Sequence, residues 1–156
     1  MYSGGSFQFC GIREKKNEKQ LFDFLSVCLP ESERCLELGG RHQYYRDISN
    51  HFVGFWCLWD AESIIGSVAI SKLTNENCEL KSLYLLEKYH RNGYGKQMLT
   101  HAIAYAKKCG YQKMYLDSLS TSTNAVALYR KMGFVDTEKY NNSIFSDVFM
   151  VLDLST

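Results

Sequence analysis

The sequence predicts a single α/β domain, residues 1–156, with a mixed central sheet of about six to seven strands flanked by helices. Three observations predict this fold class. The length of 156 residues is that of one domain with its own core. Runs of alternating or β-branched residues are separated by helical patterns. Their order is β-α-(α)-β-β-β-α-β-α-β-β, in which three consecutive strands precede strands that are separated by helices.

The first two elements are a strand and an amphipathic helix. Apolar residues alternate from Phe7 to Ile12, and residues 14–31 change to helical spacing that Pro30 ends. The apolar face of this helix consists of Leu21, Phe24, Leu25 and Cys28. Residues 32–50 are mostly polar and predict one or two short helices interrupted at Gly39-Gly40.

The middle of the chain predicts a three-stranded meander. Residues 51–59, 64–73 and 78–86 are rich in β-branched and aromatic side chains, and the polar segment DAES joins the first two.

The second half alternates helices with strands. Residues 96–110 show helical spacing that ends at Gly110, residues 111–119 form a strand, and residues 120–133 form a capped helix that ends at another glycine. Residues 134–140 and 144–154 predict two closing strands.

Charge and composition exclude several classes of partner. Lys and Arg number 18 against 17 Asp and Glu, so a net charge of +1 gives no field that would attract nucleic acid or an anionic membrane. The apolar runs fall short of the roughly 20 residues that cross a bilayer.

The six cysteines show no C-x-x-C pair, so we expect no metal site and mostly buried thiols. The first residues lack the order of a signal peptide, and we expect a cytoplasmic protein, monomeric or homodimeric.

A glycine turn, YHRNGYG at residues 89–95, lies between the third meander strand and the next helix. A Walker loop needs Lys-Ser or Lys-Thr after its last glycine, but Lys96-Gln97 follows Gly95. A dinucleotide fingerprint needs a third glycine where Met98 stands. The turn still offers backbone N–H groups, a helix N-terminus and two cations, Arg91 and Lys96, and these suit a pyrophosphate.

Three collinear segments resemble the GNAT acetyltransferase superfamily. They are LYLLEKYHRNGYGKQML, which is similar to its coenzyme A motif, NAVALYRKMGF downstream, and ELKSLYL in the strand before the turn. The resemblance covers about residues 6 to 154. Two departures are His90, where the family usually has Arg or Gln, and Glu87, where it often has Pro. A histidine can also donate to a phosphate.

The resemblance implies an acetyl-CoA-dependent N-acetyltransferase whose sheet is splayed at the cofactor strand. Backbone groups of Leu83, Tyr84 and Leu85 would bind the pantetheine arm, and the Leu85 N–H would polarise the acetyl carbonyl. Asn124 would also bind this arm, and its alternative role is a helix cap. The pyrophosphate would lie on the turn that consists of His90, Arg91, Asn92, Gly93, Tyr94, Gly95 and Lys96.

The resemblance also implies the residues that move protons. Tyr129 would be the general acid, since a phenol with a pKa near 10 can protonate a departing thiolate; its alternative is a core tyrosine. Glu79 would be the base, with Asp117 as the other candidate. Glu79 could instead be a solvated carboxylate at a strand end.

The acceptor would be a primary amine of a small molecule or amino acid. Its pocket would be aromatic and uncharged, with contributions from Tyr44, Tyr45, His51, Trp56, Tyr140 and Phe145. Other hypotheses are a non-catalytic acyl-CoA sensor and an enzyme that acetylates peptide or protein amines. A nucleic-acid reader lacks the basic stripe that it would need.

Overall fold

The computed structural model describes residues 7–11, 17–31, 34 and 36–155. The strands are β1 (Phe7–Gly11), β2 (Gly54–Asp60), β3 (Ser63–Lys72), β4 (Asn77–Leu85), β5 (Lys113–Ser118), β6 (Val135–Asp136) and β7 (Val148–Asp153). The helices are α1 (Glu18–Glu31), α2 (Ile48–His51), α3 (Tyr94–Lys108) and α4 (Thr123–Lys131). Short 3-10 helices lie at Gln43–Arg46 and Glu87–Tyr89.

The strands form one open sheet in the order β1-β2-β3-β4-β5-β7-β6. The β4–β5 pair is parallel, and the other neighbouring strands are antiparallel. The predicted element order, the mixed sheet and the meander of β2, β3 and β4 are therefore confirmed.

Strands β4 and β5 diverge after a short pairing. Their register joins Asn77 to Lys113, Cys78 to Met114 and Glu79 to Tyr115, and goes no further. Residues 80–85 therefore have no β5 partner among the described residues, and the sheet opens on that side of β4. This is the splay that the family resemblance implied.

A bulge in β4 precedes the open segment. Ser82 has a positive φ of 55°, and the β3–β4 register advances by two residues on β3 while it advances by three on β4. The buried Ser67 hydroxyl donates to the Ser82 carbonyl at 2.7 Å, and the Tyr45 and Ser82 hydroxyls are hydrogen-bonded at 2.7 Å. Side chains of two neighbouring elements thus stabilise the bulge.

Two apolar cores lie on opposite faces of the sheet. One fills the space between the sheet and helices α3 and α4, and contains Met98, Leu99, Met114, Tyr129 and Phe134. The other lies under α1 and the segment before β2, and contains Leu21, Phe24, Leu25, Cys28 and Tyr45. The predicted apolar face of α1 is thus confirmed, and Pro30 lies in the last turn of this helix.

Several boundaries differ from the predictions. The predicted strand over residues 134–140 shortens to the two residues of β6, and β7 begins at Val148 rather than at 144. The physical reason is that polar side chains between them, including Asn141 and Asp147, bind the sheet and the β5–α4 turn instead of extending a ladder. Helix α3 begins earlier than its apolar pattern because Gly93 takes the N-cap position with φ of 79°.

The described cysteines are free thiols. Cys28, Cys57 and Cys78 are buried and Cys109 is exposed, while the side chains of Cys10 and Cys35 lie outside the described residues. Burial raises the pKa of Cys28 and of Cys78 to about 12. None of the helices in the described part of the chain has the length and apolarity to cross a bilayer.

We expect Ser67→Ala to lower the free energy of unfolding by about 1–3 kcal/mol, because it leaves the partly buried Ser82 carbonyl without its donor. Ser71→Ala in the same strand is the matched control, since it removes a partly exposed bond to the His51 carbonyl and should cost less than about 1 kcal/mol. Urea unfolding measures both. Equal costs for the two variants would show that the bulge does not depend on Ser67.

Candidate active site

The N-terminus of α3 forms an open cradle of backbone donors. Gly93, at φ of 79°, takes the N-cap position, and as a glycine it makes no side-chain capping bond to the first N–H groups. A Cβ added at Gly93 would meet nothing within 4 Å, so the space beside this backbone is open. Arg91 and Lys96 are exposed next to it. The cradle fits an anionic group by both geometry and charge.

His90 and Asn92 hold the turn in shape. The Nε2 atom of His90 donates to the Leu85 carbonyl at 2.9 Å, and the His90 N–H donates to the Glu87 carbonyl. The Asn92 amide donates to the carbonyls of Tyr89 and His90. The predicted hydrogen bond from the His90 ring to a phosphate is not supported by this orientation. His90 instead ties the end of β4 to the cradle.

The backbone at the end of β4 is directed into the opening. The Leu86 N–H bonds the Ile65 carbonyl of β3, and successive N–H groups of a strand point to opposite sides. The Leu85 N–H therefore points away from β3. It lies near the Cys28 thiol, whose raised pKa it lowers in part. The Leu85 N–H is therefore not used in the β3–β4 ladder.

Tyr129 reaches the opening from the α3/α4 side. It is 6% exposed and packs edge to face against Phe134. Burial raises the pKa of its phenol, and Tyr84, in the other core, raises it further, whereas Arg34 lowers it. Tyr84, Arg34 and Asp117 therefore all act electrostatically on this phenol. The phenol stays protonated through neutral pH and is available as a proton donor.

Asn124 lies in the first turn of α4 and is exposed. Ser122 occupies the N-cap position, and its side chain makes no capping bond. The cap role considered for Asn124 is therefore wrong, and its amide is directed to solvent on the helix that carries Tyr129.

The two candidate bases lie together on the other side of the opening. Glu79 is 7% exposed and accepts from the Tyr140 hydroxyl at 2.5 Å. The Asn141 amide nitrogen bridges the carboxylates, at 3.2 Å from Glu79 and 2.5 Å from Asp117. The Ser146 hydroxyl donates to Asp117 at 2.7 Å, and Lys81 forms an ion pair with Glu79 at 3.3 Å. Glu79 is therefore a buried, bonded carboxylate, and the idea that it is merely solvated is wrong.

Two loops meet over this carboxylate pair. The Arg41 guanidinium lies 4.4 Å from the centre of the Phe145 ring, which joins the segment before α2 to the β6–β7 loop. Arg41 also forms an ion pair with Glu37 at 2.6 Å. Burial raises the pKa of Tyr44, the charges of Asp117 and Glu79 raise it further, and Arg41 lowers it, so all three charged groups act on this phenol. We call the region between these two loops and the carboxylate pair the cleft.

The predicted pocket inventory needs two corrections. Trp56 packs against His101 and Tyr105 in the α3 core, so it does not line this cleft. Its side chain points there because the alternation of β2 sends neighbouring residues to opposite faces. The cleft is also not uncharged, since it contains carboxylates and cations. Tyr140 and Phe145 do lie at the cleft, Tyr45 is buried below it at the bulge, and exposed His51 bonds the Asp47 carbonyl.

Sequence reasoning missed Asn141, Ser146 and Lys81. Asn141 and Ser146 lie in a segment without a motif, although the polar run NNS between two predicted strands indicated a loop. Lys81 lies within ELKSLYL, where roles were assigned only to Glu79 and to backbone groups. Among the described residues, no group of three or more His, Cys, Asp or Glu is arranged to bind a metal ion.

Comparison of the sequence with known families gives one clear match. The model of the acetyltransferase (GNAT) family matches residues 19–134. An uncharacterized N-acetyltransferase of Schizosaccharomyces pombe is 37% identical over 93 residues, which are 58% of this chain and 57% of that protein. The uncharacterized N-acetyltransferase YsnE of Bacillus subtilis is 31% identical over 90 residues, 56% of this chain and 60% of that one. The chain thus aligns with less than two thirds of the length of these relatives.

Comparison with solved structures shows the same fold. An acetyltransferase from Streptococcus agalactiae has a TM-score of 0.87 at 16% identity, and the alignment covers 96% of this chain and 99% of that one. YncA from Salmonella typhimurium, solved with its cofactor acetyl-CoA, has a TM-score of 0.72 at 15% identity, covering 97% of this chain and 95% of that one.

We expect Tyr140→Phe to lower the free energy of unfolding by about 1–3 kcal/mol, because the buried Glu79 carboxylate loses a donor. Tyr115→Phe is the matched control. Tyr115 packs against Tyr140 with the ring centroids 4.9 Å apart and the rings tilted, and its hydroxyl has no hydrogen-bond partner among the described residues. Chemical denaturation should show a cost only for Tyr140→Phe, and the reverse order would contradict the assigned hydrogen bond.

Proposed function

The chain belongs to the acetyltransferase (GNAT) family, and from that premise we propose that it is an acetyl-CoA-dependent N-acetyltransferase. Its acceptor would be a primary amine of a small molecule or an amino acid, attacked directly in a ternary complex. The observation that carries the proposal is the opening between β4 and β5, with a proton donor on one side and two carboxylates on the other.

The residues that would hold acetyl-CoA follow from the geometry of the opening. The α3 cradle from His90 to Lys96 fits the pyrophosphate, through its N–H groups and its exposed cations. The edge of β4 that has no β5 partner, including the backbone of Leu83, Tyr84 and Leu85, fits the pantetheine amides, and the exposed Asn124 would bind the same arm. Bound acetyl-CoA would supply the acetyl group and a thiol leaving group.

The remaining chemistry belongs to the side chains and one backbone donor. Glu79 or Asp117 accepts the proton of the acceptor amine, directly or through water. The Leu85 N–H stabilises charge on the carbonyl oxygen as nitrogen bonds to the carbonyl carbon. Tyr129 donates its phenolic proton to sulfur as the carbon–sulfur bond breaks.

The contact between Arg41 and Phe145 supports a small acceptor. It links the two loops over the carboxylate pair and narrows the approach to it. A structural neighbour at 15% identity is the ribosomal-protein-S18-alanine N-acetyltransferase of Escherichia coli, so a protein amine is the second candidate. We further propose a cytoplasmic location, which the free thiols of the described residues support.

We expect Gly93→Leu to weaken acetyl-CoA binding by at least about tenfold, since a side chain would fill the space that the pyrophosphate needs. Gly110→Leu is the matched control: it has a φ of 87°, nothing lies within 4 Å of its added Cβ, and it caps the opposite end of α3. Both variants bear a similar backbone strain, so calorimetric titration separates strain from binding. Equal affinity for acetyl-CoA in the two variants would disprove the cradle.

We expect Tyr129→Phe to reduce kcat by roughly 10²-fold, at the lower end of the usual range for general acid catalysis, with little change in acetyl-CoA affinity. The measurement is thiol release from acetyl-CoA with a panel of amines, amino acids and peptide N-termini, with mass spectrometry of the products. Tyr105→Phe, on α3 beside Trp56, is the control and should retain the parent rate.

The same panel tests the function itself. Product formation with amines supports an N-acetyltransferase, and products with peptides alone would favour the second candidate. Tight acetyl-CoA binding by the parent without any acetylated product would support the sensor hypothesis instead. An unchanged kcat in Tyr129→Phe, with chemistry shown to limit the rate, would mean that Tyr129 is a core residue and not the general acid.

A further inference from the structure

Arg34 is a half-buried cation at the opening. Its guanidinium lies 5.8 Å from the centre of the Tyr84 ring, and its charge lowers the pKa of both Tyr84 and Tyr129. Its backbone N–H donates to the Leu29 carbonyl at 2.9 Å, which fixes the residue just beyond the end of α1. No carboxylate in the described part of the chain lies within ion-pair distance of this guanidinium.

The other charges of the cleft are arranged differently. Lys81 is paired with Glu79 at 3.3 Å, and Arg41 is paired with Glu37 at 2.6 Å. Asp117 has no cationic partner among the described residues; its bonds come from the neutral side chains of Asn141 and Ser146. Among the described residues, Arg34 at the opening is therefore a cation without an ionic partner, and Asp117 is a carboxylate without one.

Charges withdrawn from water are unfavourable unless they acquire partners. A ligand with one cationic and one anionic group would satisfy both residues. One guanidinium matches the single charge of a carboxylate, to which its fork can donate two parallel hydrogen bonds. A phosphate dianion would need a second free cation, and the two nearest cations, Lys81 and Arg41, are already paired.

We propose that the acceptor is an amino acid or another amine that bears a carboxylate, and that Arg34 binds this carboxylate while the amine faces Asp117 and Glu79. This inference rests on the proposed N-acetyltransferase function and specifies its substrate class. It makes Arg34 a specificity-determining residue, because it touches the part of the acceptor that does not react.

The test compares matched acceptors that differ only in the carboxylate. Each amino acid in the assay is paired with its decarboxylated amine, its amide and its phosphonate analogue, and initial rates of thiol release give kcat/KM for each. For the parent protein we expect the carboxylate form to exceed its amide and amine by about 10- to 100-fold, the usual effect of a hydrogen bond to a charged group. A preference for the phosphonate would show that a different oxyanion is recognised and would overturn the proposal.

Variants assign the preference to Arg34. Arg34→Gln should reduce kcat/KM for the carboxylate form by about 10- to 100-fold, mainly through KM, and should leave rates with the decarboxylated amine unchanged. Arg34→Lys keeps the charge but loses the planar fork, so an intermediate loss is expected. Arg46→Gln, whose guanidinium lies 5.5 Å from the Phe22 ring centre, is the matched control on the same segment and should behave as the parent.

The outcomes separate this inference from the proposed function. A parent that acetylates amines with and without a carboxylate equally well, and an Arg34→Gln variant with unchanged kinetics, would overturn the role of Arg34 and leave the N-acetyltransferase in place. A parent that acetylates no amine would overturn both. If Arg34→Gln lost rate equally with every acceptor, including the decarboxylated amines, Arg34 would act on the reaction centre through Tyr84, and the carboxylate proposal would be wrong.

Discussion

The bulge at Ser82 is the feature on which the geometry of the opening depends. A left-handed backbone at a residue with a side chain costs about 1–2 kcal/mol, and the contacts of Ser82 with Ser67 and Tyr45 offset this cost. Because the bulge adds one residue to β4, the strand can stay paired with β3 while it leaves β5. Its far end then continues into the turn that presents the α3 N-terminus. The strand end and the cradle are thus positioned together by one local distortion.

The divergence of β4 and β5 opens the sheet between the proposed acid, Tyr129, and the carboxylate pair. Tyr129 belongs to the core under α3 and α4, whereas the carboxylates of Glu79 and Asp117 are bonded by the β6–β7 loop. In a fully paired sheet the strands would separate them. The arrangement keeps acid and base apart, so that neither neutralises the other by direct proton exchange. Burial also keeps the roles of acid and base distinct, because it raises the pKa of Tyr129 and so keeps the proton on the phenol at neutral pH.

Periodic segments and glycines were predictable from the sequence, whereas contacts made by loops were not. The apolar face of α1 followed from the spacing of its residues, and Gly110 followed from its place at the end of a helical pattern. The cradle at Gly93 followed from its place between a strand and a helix. Arg34 and Asn141 lie in segments without periodicity, and their roles depend on tertiary neighbours far along the chain. The short β6 shows the same limit, because a strand was predicted over residues 134–140, whereas side-chain hydrogen bonds of the loop replace most of that ladder.

The free-energy cost of placing two carboxylates, Glu79 and Asp117, next to each other distinguishes an enzyme from a protein that only binds acyl-CoA. The proposed acetyl-CoA site consists of the cradle and the free edge of β4, and it does not include Glu79 or Asp117. Two neighbouring carboxylates repel each other, and one of them is buried, so together they destabilise the fold unless they serve a ligand. Here Asn141 donates to both, which lessens the repulsion and leaves their remaining lone pairs as acceptors. A sensor would be more stable with apolar residues at these positions, whereas an acceptor amine requires a group that receives its proton.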